Sequence, residues 1–398
     1  MSPAMPRDVV ILDGARTAIG TFGGALAGTP PIATAAHVAK AAMARSGVEG
    51  GQIGHVVFGH VINTEPRDMY LSRVAAIEAG IPDTTPAMNV NRLCGSGAQA
   101  VVSAMQAILL GDADFALAGG AEAMSRSPHL LHTARFGQKM GDTTITDMMI
   151  GALNCPFGTG HMGVTAENVA EERGISRADQ DAFALESQRR AGVALAEGRF
   201  AGQIEPFVIK TRKGEIVFDT DEHPKPATTL EDLAGLRPAF KKDGTVTAGN
   251  ASGINDAAAA IVLAEAGAAE AAGCKPRARL LGYAHAGVRP EVMGLGPIPA
   301  VEALLARTGL TISDFDVIES NEAFAAQACA VNRGLGLDPA RVNPNGGAIA
   351  LGHPVGATGA ILTLKCLAEL ERTQGRYGLI TMCIGGGQGI ALAVERVG

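Results

Sequence analysis

The sequence predicts an α/β protein made of two similar halves, with a loop-rich insertion between them. Apolar runs of strand length alternate with helix-length patterns over the first 120 or so residues, and again after about residue 275. Each set contains a glycine-rich turn that leads into a helix, and the segment between the sets is rich in proline and charged residues. A chain of 398 residues exceeds one typical core, so we expect two or three domains.

The first half follows an alternating order of strands and helices. A Cys/Gly/Ser turn at residues 94–97 leads into an apolar helical pattern that Gly111 ends. Helix-length connections between strands indicate parallel pairing. The predicted strands are 9–12, 55–58 and 115–118, and the predicted helices are 31–45, 67–79 and the one after Cys94.

The second half repeats this plan at the level of turn type. The segment Leu93-Cys-Gly-Ser-Gly-Ala98 aligns with Leu351-Gly-His-Pro-Val-Gly-Ala357, because each leads from a turn into a helix. Such a duplication would bring two helix N-termini together, one with Cys94 and the other with His353. The predicted strands are 278–283, 315–318, 379–384 and 389–394, and the predicted helices are 298–308, one starting within 319–324, and one from the 345–353 turn to about 371.

The predicted domains are residues 1–123 (completed by 251–275), the insertion 124–250, and residues 276–398. The insertion has one helical stretch, predicted at 165–192, within irregular sequence of the kind that often carries ligand contacts. Its lysines and arginines suit a polyanionic ligand, and they equally suit a solvated surface.

Composition excludes several classes of function. The formal net charge is −7 and tryptophan is absent, which argues against nucleic-acid binding. The six cysteines form no CxxC pair, so neither a metal site nor a disulfide framework is expected. No run approaches the ~18 consecutive apolar residues of a membrane span, and the first residues have no apolar leader. We therefore expect a cytoplasmic protein.

Cys94 is the first candidate for chemistry. The positive potential at a helix N-terminus favours a thiolate, which is the nucleophilic form of cysteine. Taken alone, a cysteine beside glycines is more often a small packed residue.

Three further motifs each contain a reactive side chain. They are Asn321-Glu-Ala-Phe324, the Asn343–Gly359 segment with His353, and Thr381-Met-Cys-Ile-Gly-Gly-Gly-Gln-Gly389 with Cys383. Asn321 alone is consistent with a helix N-cap, His353 with a buried imidazole and Cys383 with a packed thiol. Their joint occurrence with Cys94 favours a catalytic site.

These motifs resemble those of the thiolase family, in the same order and over essentially the whole chain. The segments His161–Ala170 and Asn250–Gly253 also have family counterparts. The chain is most similar to the biosynthetic short-chain β-ketothiolases of the acetyl-CoA acetyltransferase type. The resemblance implies a layered αβαβα fold and reversible Claisen condensation or thiolysis of short 3-oxoacyl-CoA by ping-pong chemistry.

The resemblance also implies a role for each motif. Cys94 would carry the acyl group, His353 would activate it, and Cys383 would act as acid or base on the α-carbon and the CoA sulfur. One oxyanion hole would consist of His353 and a water held by Asn321, the other of the backbone N–H groups of Cys94 and Gly385. Coenzyme A thioesters would be substrates, with no separate cofactor, and the protein would be a homotetramer.

The implied contacts with coenzyme A come mostly from the insertion. Lys225 stands where some family members carry an arginine, so the charge is kept without the planar fork. Gly160 stands where strict acetoacetyl enzymes carry an aromatic ring, so we expect room for acyl chains of about five or six carbons. The implied contact residues are Leu153, His161, Met162, Lys225, Phe240, Ala248, Ser252, Met293 and Phe324.

Three alternatives compete with this interpretation. Another condensing enzyme on the same scaffold, a ketosynthase or a hydroxymethylglutaryl-CoA synthase, would lack Cys383 in its glycine turn. A non-catalytic acyl-CoA carrier would be expected to lose Cys94 or His353. A Cys–His hydrolase would need water at the acyl-enzyme, and it would hydrolyse acyl-CoA without transfer.

Overall fold

The computed structural model describes residues 7–212 and 214–397. The strands are β1 Val9–Arg16, β2 Gly20–Thr21, β3 Ile53–Gly59, β4 Ala87–Val90, β5 Phe115–Ala123, β6 His129–Leu131, β7 Ile145–Asp147, β8 Asn154–Cys155, β9 Gly160–His161, β10 Phe207–Thr211, β11 Gly214–Phe218, β12 Asn255–Glu265, β13 Ala278–Gly287, β14 Phe315–Ser320, β15 Tyr377–Ile384 and β16 Gln388–Arg396. The α-helices are α1 Pro31–Ser46, α2 Leu71–Glu78, α3 Ser96–Leu110, α4 Met148–Ala152, α5 Met162–Arg173, α6 Arg177–Ala196, α7 Leu230–Ala234, α8 Ala266–Ala271, α9 Pro297–Thr308, α10 Ala325–Leu335, α11 Ala348–Leu351 and α12 Thr358–Thr373.

The two halves share one large mixed sheet. Its strand order is β14-β15-β16-β13-β1-β12-β5-β3-β4, with β2 paired to β12. The halves meet where β1 and β13 pair antiparallel, at Val10 with Arg279 and at Ile11 with Ala278. Parallel pairing is found between β3 and β4, β3 and β5, and β14 and β15. The prediction of parallel strand pairing is wrong for the central strands, which pair antiparallel. A short glycine turn joins β15 to β16, for example, and so short a connection permits only antiparallel pairing.

Helices α3 and α12 form the central layer of the molecule. Both belong to one buried apolar cluster with residues of the two half-sheets. The outer face of the first half packs on α1 and α2, and that of the second half packs on α9, so five layers alternate. The two central helices approach closely because Gly97 has no Cβ; a Cβ there would lie 2.8 Å from the backbone nitrogen of Ala360. The predicted α/β fold with two duplicated halves is confirmed.

Among the described residues, α3 is the one helix apolar enough, by length and composition, to pass for a membrane span. Its window Leu93–Leu110 has a mean hydropathy of 1.5 and is 61% buried. Burial between the two half-sheets accounts for this apolar composition, as is usual for a core helix.

Several predicted helices differ in their limits. The one predicted from the 345–353 turn is the short α11 followed by α12, which starts at Thr358. The stretch 165–192 is two helices, α5 and α6, because the chain turns at Gly174 with φ 61° and Ser176 caps α6. The stretch 67–79 is a 3₁₀ turn, Pro66–Tyr70, followed by α2. The helix expected to start within 319–324 begins at Ala325, and its N-cap is Phe324.

Candidate active site

Cys94 lies in a tight turn between β4 and α3. The residue before it, Leu93, has φ 45°, a left-handed conformation that is rare for leucine and costs about 1–3 kcal/mol. Ser96 holds the turn: its hydroxyl accepts from the Arg92 N–H (2.9 Å) and donates to the Leu93 carbonyl (2.6 Å). The half-buried Cys94 side chain is therefore fixed by its neighbours two residues ahead of α3.

His353 lies in the turn between α11 and α12, with its ring buried. Its backbone N–H donates to Asn255 Oδ1 at 2.9 Å. Its Nδ1 is 2.6 Å from Thr358 Oγ1, and that hydroxyl donates to the Pro354 carbonyl at 2.9 Å. Because the hydroxyl has one proton, this pattern assigns a proton to His353 Nδ1 and leaves Nε2 unprotonated, as a hydrogen-bond acceptor.

Asn321 directly follows β14. Its backbone N–H donates to the Thr381 carbonyl at 3.0 Å, and its side-chain Nδ2 lies 3.4 Å from His353 Nε2. Its Oδ1 is buried without a hydrogen-bond partner within the described residues. The N-cap interpretation is wrong, since Phe324 caps α10. The amide instead faces the imidazole.

Cys383 is the penultimate residue of β15 and is fully buried. It belongs to an apolar cluster with Met162, Met293 and Phe324. Ser320 is in register with Thr381 on the parallel neighbour, so Cys383 lies two residues further along β15, toward the end of the sheet where Asn321 follows β14.

A cavity of about 60 Å³ lies in front of Cys94 and His353. Eight of the predicted site residues line it, namely Cys94, Leu153, Met162, Ser252, Met293, Phe324, His353 and Gly385. Seven lining residues were not predicted: Val61, Ile62, Leu93, Met124, Ala152, Ala323 and Val355. The cavity therefore joins the insertion to both halves of the protein.

The protonation states of the two central groups are set by burial. Burial raises the pKa of the Cys94 thiol, although the N–H groups of Gly385 and of Cys94 itself donate to the sulfur and oppose the rise; the charge of Glu122 adds to it. Loss of water on burial thus outweighs the stabilisation that these amide donors give to a thiolate. Burial also lowers the pKa of His353 to about 4, so a neutral thiol faces a neutral imidazole.

Cys383 has a raised pKa as well. Burial is the larger cause, and the negative charge of a Cys94 thiolate is the second. The two sulfurs are therefore within electrostatic reach of each other.

The remaining predicted contacts divide into two groups. His161 caps α5 by accepting from the Gly163 N–H at 3.0 Å, and its ring stacks on Phe240 with centroids 4.7 Å apart. Phe240 meets Phe324 edge to face at 6.1 Å, so the three rings continue the wall of the cavity. Lys225 and Ala248 are exposed and do not line the cavity.

Sequence reasoning missed three buried polar residues around the site. Thr358 follows His353 by five residues in the same glycine-rich motif, and the need of a buried imidazole for a partner was an available signal. Asn255 and Glu122 contact the His353 loop from strands far away in sequence, at His353 and at Gly356 respectively. No pattern in the sequence indicates those two contacts.

Comparison with known proteins identifies the class. Residues 9–267 match the family described as thiolase, N-terminal domain, and residues 274–396 match thiolase, C-terminal domain. The chain belongs to the thiolase family and is an acyltransferase.

The beta-ketothiolase BktB of Cupriavidus necator is 61% identical over 394 residues, which are 99% of this chain and 100% of that protein. The crystal structure of the Bacillus anthracis acetyl-CoA acetyltransferase matches with a TM-score of 0.97 at 44% identity, covering 99% of this chain and 100% of the other. The human mitochondrial 3-ketoacyl-CoA thiolase in complex with CoA matches with a TM-score of 0.95 at 41% identity, covering 98% of both chains. These similarities support a thiolase function for this chain.

Proposed function

We propose that this enzyme condenses and cleaves short 3-oxoacyl-CoA thioesters by ping-pong chemistry through an acyl group on Cys94. One observation carries the proposal: Cys94 and His353 line one narrow cavity, and the imidazole there has an unprotonated Nε2, which accepts a long contact of 3.4 Å from Asn321 Nδ2. A neutral base and a neutral thiol are the state from which a proton transfer can start.

In the first half-reaction His353 Nε2 takes the Cys94 proton as the sulfur attacks the thioester carbonyl. Burial disfavours a free thiolate–imidazolium pair, so we expect proton transfer to accompany the attack, when the new charge moves onto the substrate oxygen. The coenzyme A sulfur then leaves as the tetrahedral intermediate collapses to acyl-Cys94. It takes the proton of Cys383 and departs as a thiol.

In the second half-reaction the Cys383 thiolate removes the α-proton of a second acetyl-CoA. The raised pKa of this buried thiol makes its thiolate a strong base, as the weakly acidic α-carbon requires. The carbanion attacks the acyl group, the bond to Cys94 breaks, and His353 returns its proton to the Cys94 sulfur. Thiolysis is the reverse of these steps.

Two sets of donors suit the oxyanions. The N–H groups of Cys94 and Gly385 already point to the Cys94 sulfur, next to which an acyl oxygen would form. At a second hole the donors would be the protonated imidazole and a water whose other hydrogen is accepted by the unpaired Asn321 Oδ1. Each such donor contributes about 3 kcal/mol when aligned with the developing charge.

The proposed substrate range includes acyl chains longer than acetoacetyl. Gly160 has φ 98°, a conformation that suits glycine, and an added Cβ would touch Val164 at 3.8 Å. The absence of a ring here supports acceptance of acyl chains of about five or six carbons. Comparison of kcat/KM for 3-oxobutanoyl-CoA and 3-oxohexanoyl-CoA tests this point; a preference of about a hundredfold for the shorter substrate would contradict it.

Coenzyme A thioesters are proposed as the sole reactants, with no added cofactor, in a cytoplasmic homotetramer. We expect dialysis against a metal chelator to leave kcat unchanged, and sedimentation to give four chains per particle. The pathway and the direction of flux follow from the supply of substrates.

Initial-rate kinetics in both directions test the proposal as a whole. Parallel double-reciprocal lines and an acid-stable label from radioactive acetyl-CoA are expected for a ping-pong acyl-enzyme. Intersecting lines without label would refute it. Release of free acid without transfer would favour the hydrolase, and binding without turnover would favour the carrier.

A further inference from the structure

Glu122 is a buried carboxylate that the proposed chemistry does not use. It stands near the end of β5 with 1% of its surface exposed. Within the described residues its ion-pair contact is His60, whose Nδ1 lies 3.7 Å from Glu122 Oε1. The same Nδ1 lies closer, at 2.9 Å, to the Ala121 carbonyl oxygen. A buried carboxylate of this kind is stabilised chiefly by hydrogen-bond donors.

The donors are three backbone amides from two separate segments. Val61 donates to Oε2 at 3.1 Å and Ile62 to Oε1 at 3.1 Å. Gly356 donates to the same Oε2 at 2.9 Å. A single carboxylate oxygen therefore joins the 61–62 segment of the first half to the loop that carries His353.

Both segments belong to the active site. Val61 and Ile62 line the cavity in front of Cys94, and Gly356 lies between His353 and Thr358. The packing leaves little room for other arrangements: a Cβ on Gly356 would lie 2.5 Å from Glu122 Oε2, and one on Gly59 would lie 2.7 Å from the Gly356 carbonyl.

We propose that Glu122 is a positioning residue that fixes the Val61–Ile62 wall of the acyl pocket against the His353 loop. It touches no substrate. It sets the width of the pocket and, through Gly356, the placement of the imidazole relative to Cys94. This inference rests on the proposed Cys94 acyl-enzyme, and it adds a residue that couples chain-length selection to acylation.

The charge of Glu122 supports the same assignment. It is one of the causes that raise the pKa of the Cys94 thiol, so the carboxylate lies within electrostatic reach of the nucleophile. Loss of this carboxylate changes both the walls of the pocket and the field at the sulfur.

The test compares Glu122→Gln with Glu265→Gln. Gln keeps the shape but turns one acceptor oxygen into an NH₂ group that faces an amide donor. Glu265 is the control, because its carboxylate also accepts a backbone N–H, that of Ala268. It is the last residue of β12, far along that strand from Ala257, which is in register with Glu122. The readouts are the rate of acyl-Cys94 labelling and the ratio of kcat/KM for 3-oxohexanoyl-CoA to that for 3-oxobutanoyl-CoA.

We expect Glu122→Gln to slow labelling about tenfold or more and to change the substrate ratio at least about threefold, with Glu265→Gln unchanged in both. A folded Glu122→Gln enzyme with the wild-type ratio and labelling rate overturns the inference. Absence of label in the wild-type enzyme instead refutes the proposed function, so the two failures are distinct.

A second variant and a measurement on the wild-type protein test the inference even if Glu122→Gln folds poorly. Glu122→Asp keeps the charge but withdraws it by one methylene, and we expect the same change of ratio. In the wild-type protein the amides of Val61, Ile62 and Gly356 are expected to exchange hydrogen only in a common opening. Independent exchange of the 61–62 segment and Gly356 would contradict a shared anchor.

Discussion

Thr358→Val is the perturbation that tests the assigned state of His353 most directly. Valine matches threonine in shape, so the change removes the hydroxyl with little change in packing. In the wild-type protein that hydroxyl lies 2.6 Å from Nδ1 and donates to the Pro354 carbonyl, which orients the imidazole with Nε2 unprotonated. Without it, Nδ1 has lost its partner in a buried site.

The magnitude follows from the cost of an unpaired buried donor, which is about 1–3 kcal/mol. The neutral imidazole can avoid this cost by moving its proton to Nε2, and that tautomer cannot accept the Cys94 proton. Because 1.4 kcal/mol corresponds to a tenfold change, we expect the acylation rate to fall about 10- to 100-fold. KM should change less, since Thr358 does not line the cavity.

The assay is rapid-quench labelling of Cys94 with radioactive acetyl-CoA, together with the thermal midpoint of unfolding. Thr358→Ser keeps the hydroxyl and should acylate within about threefold of the wild type. If Thr358→Val acylates as fast as the wild type, or if both variants are equally slow, the assignment of the tautomer is wrong.

Three other predictions follow from the same geometry. Cys94→Ala should abolish labelling by radioactive acetyl-CoA, whereas Cys383→Ala should label yet fail to condense; equal labelling of the two would show that their roles are misassigned. His353 has a folded pKa of about 4, below the ordinary value of 6.5, so the unfolded chain binds its proton first and stability falls as pH drops from about 6.5 to 4. The free energy of unfolding, measured with urea, should fall between pH 7 and pH 4 by about 3 kcal/mol less in His353→Asn than in the wild type. Equal losses in the two proteins would contradict this. Gly97→Ala should destabilise the protein by about 1–3 kcal/mol, because the added Cβ would overlap the backbone of α12. Gly202→Ala is the control and should be neutral, since a Cβ there meets nothing within 4 Å. Similar thermal midpoints of unfolding for the two variants would refute the close approach of the central helices.

Much of the candidate site was predictable because its reactive side chains sit in short, distinctive turns. Cys94, His353 and Cys383 each stand in a glycine-rich segment next to a regular element, and such local patterns can be read directly. The apolar residues Leu153, Met162 and Met293 were predicted by resemblance, and they do line the cavity. Lys225 and Ala248 were predicted in the same way and lie outside it.

The direction of the strands and the limits of several helices were less predictable. Helix-length spacing indicates parallel neighbours, but β1 pairs with β12 and β13, which arrive from distant parts of the chain. Gly174 breaks the helical stretch of the insertion, although the periodic pattern on both sides is continuous enough to predict one helix. Long-range pairing and local turn geometry outweigh periodicity in these places.

The sequence by itself determined the α/β plan, the internal repeat and the candidate reactive side chains, because each depends on residues close together in the chain. Only the tertiary structure decided their protonation states and their supports. The neutral His353 and the protonated Cys94 result from burial, which no residue in either motif specifies. Likewise Asn255 and Glu122 act through hydrogen bonds that exist only once distant strands pack against the His353 loop, whereas the Thr358 contact is local to that loop.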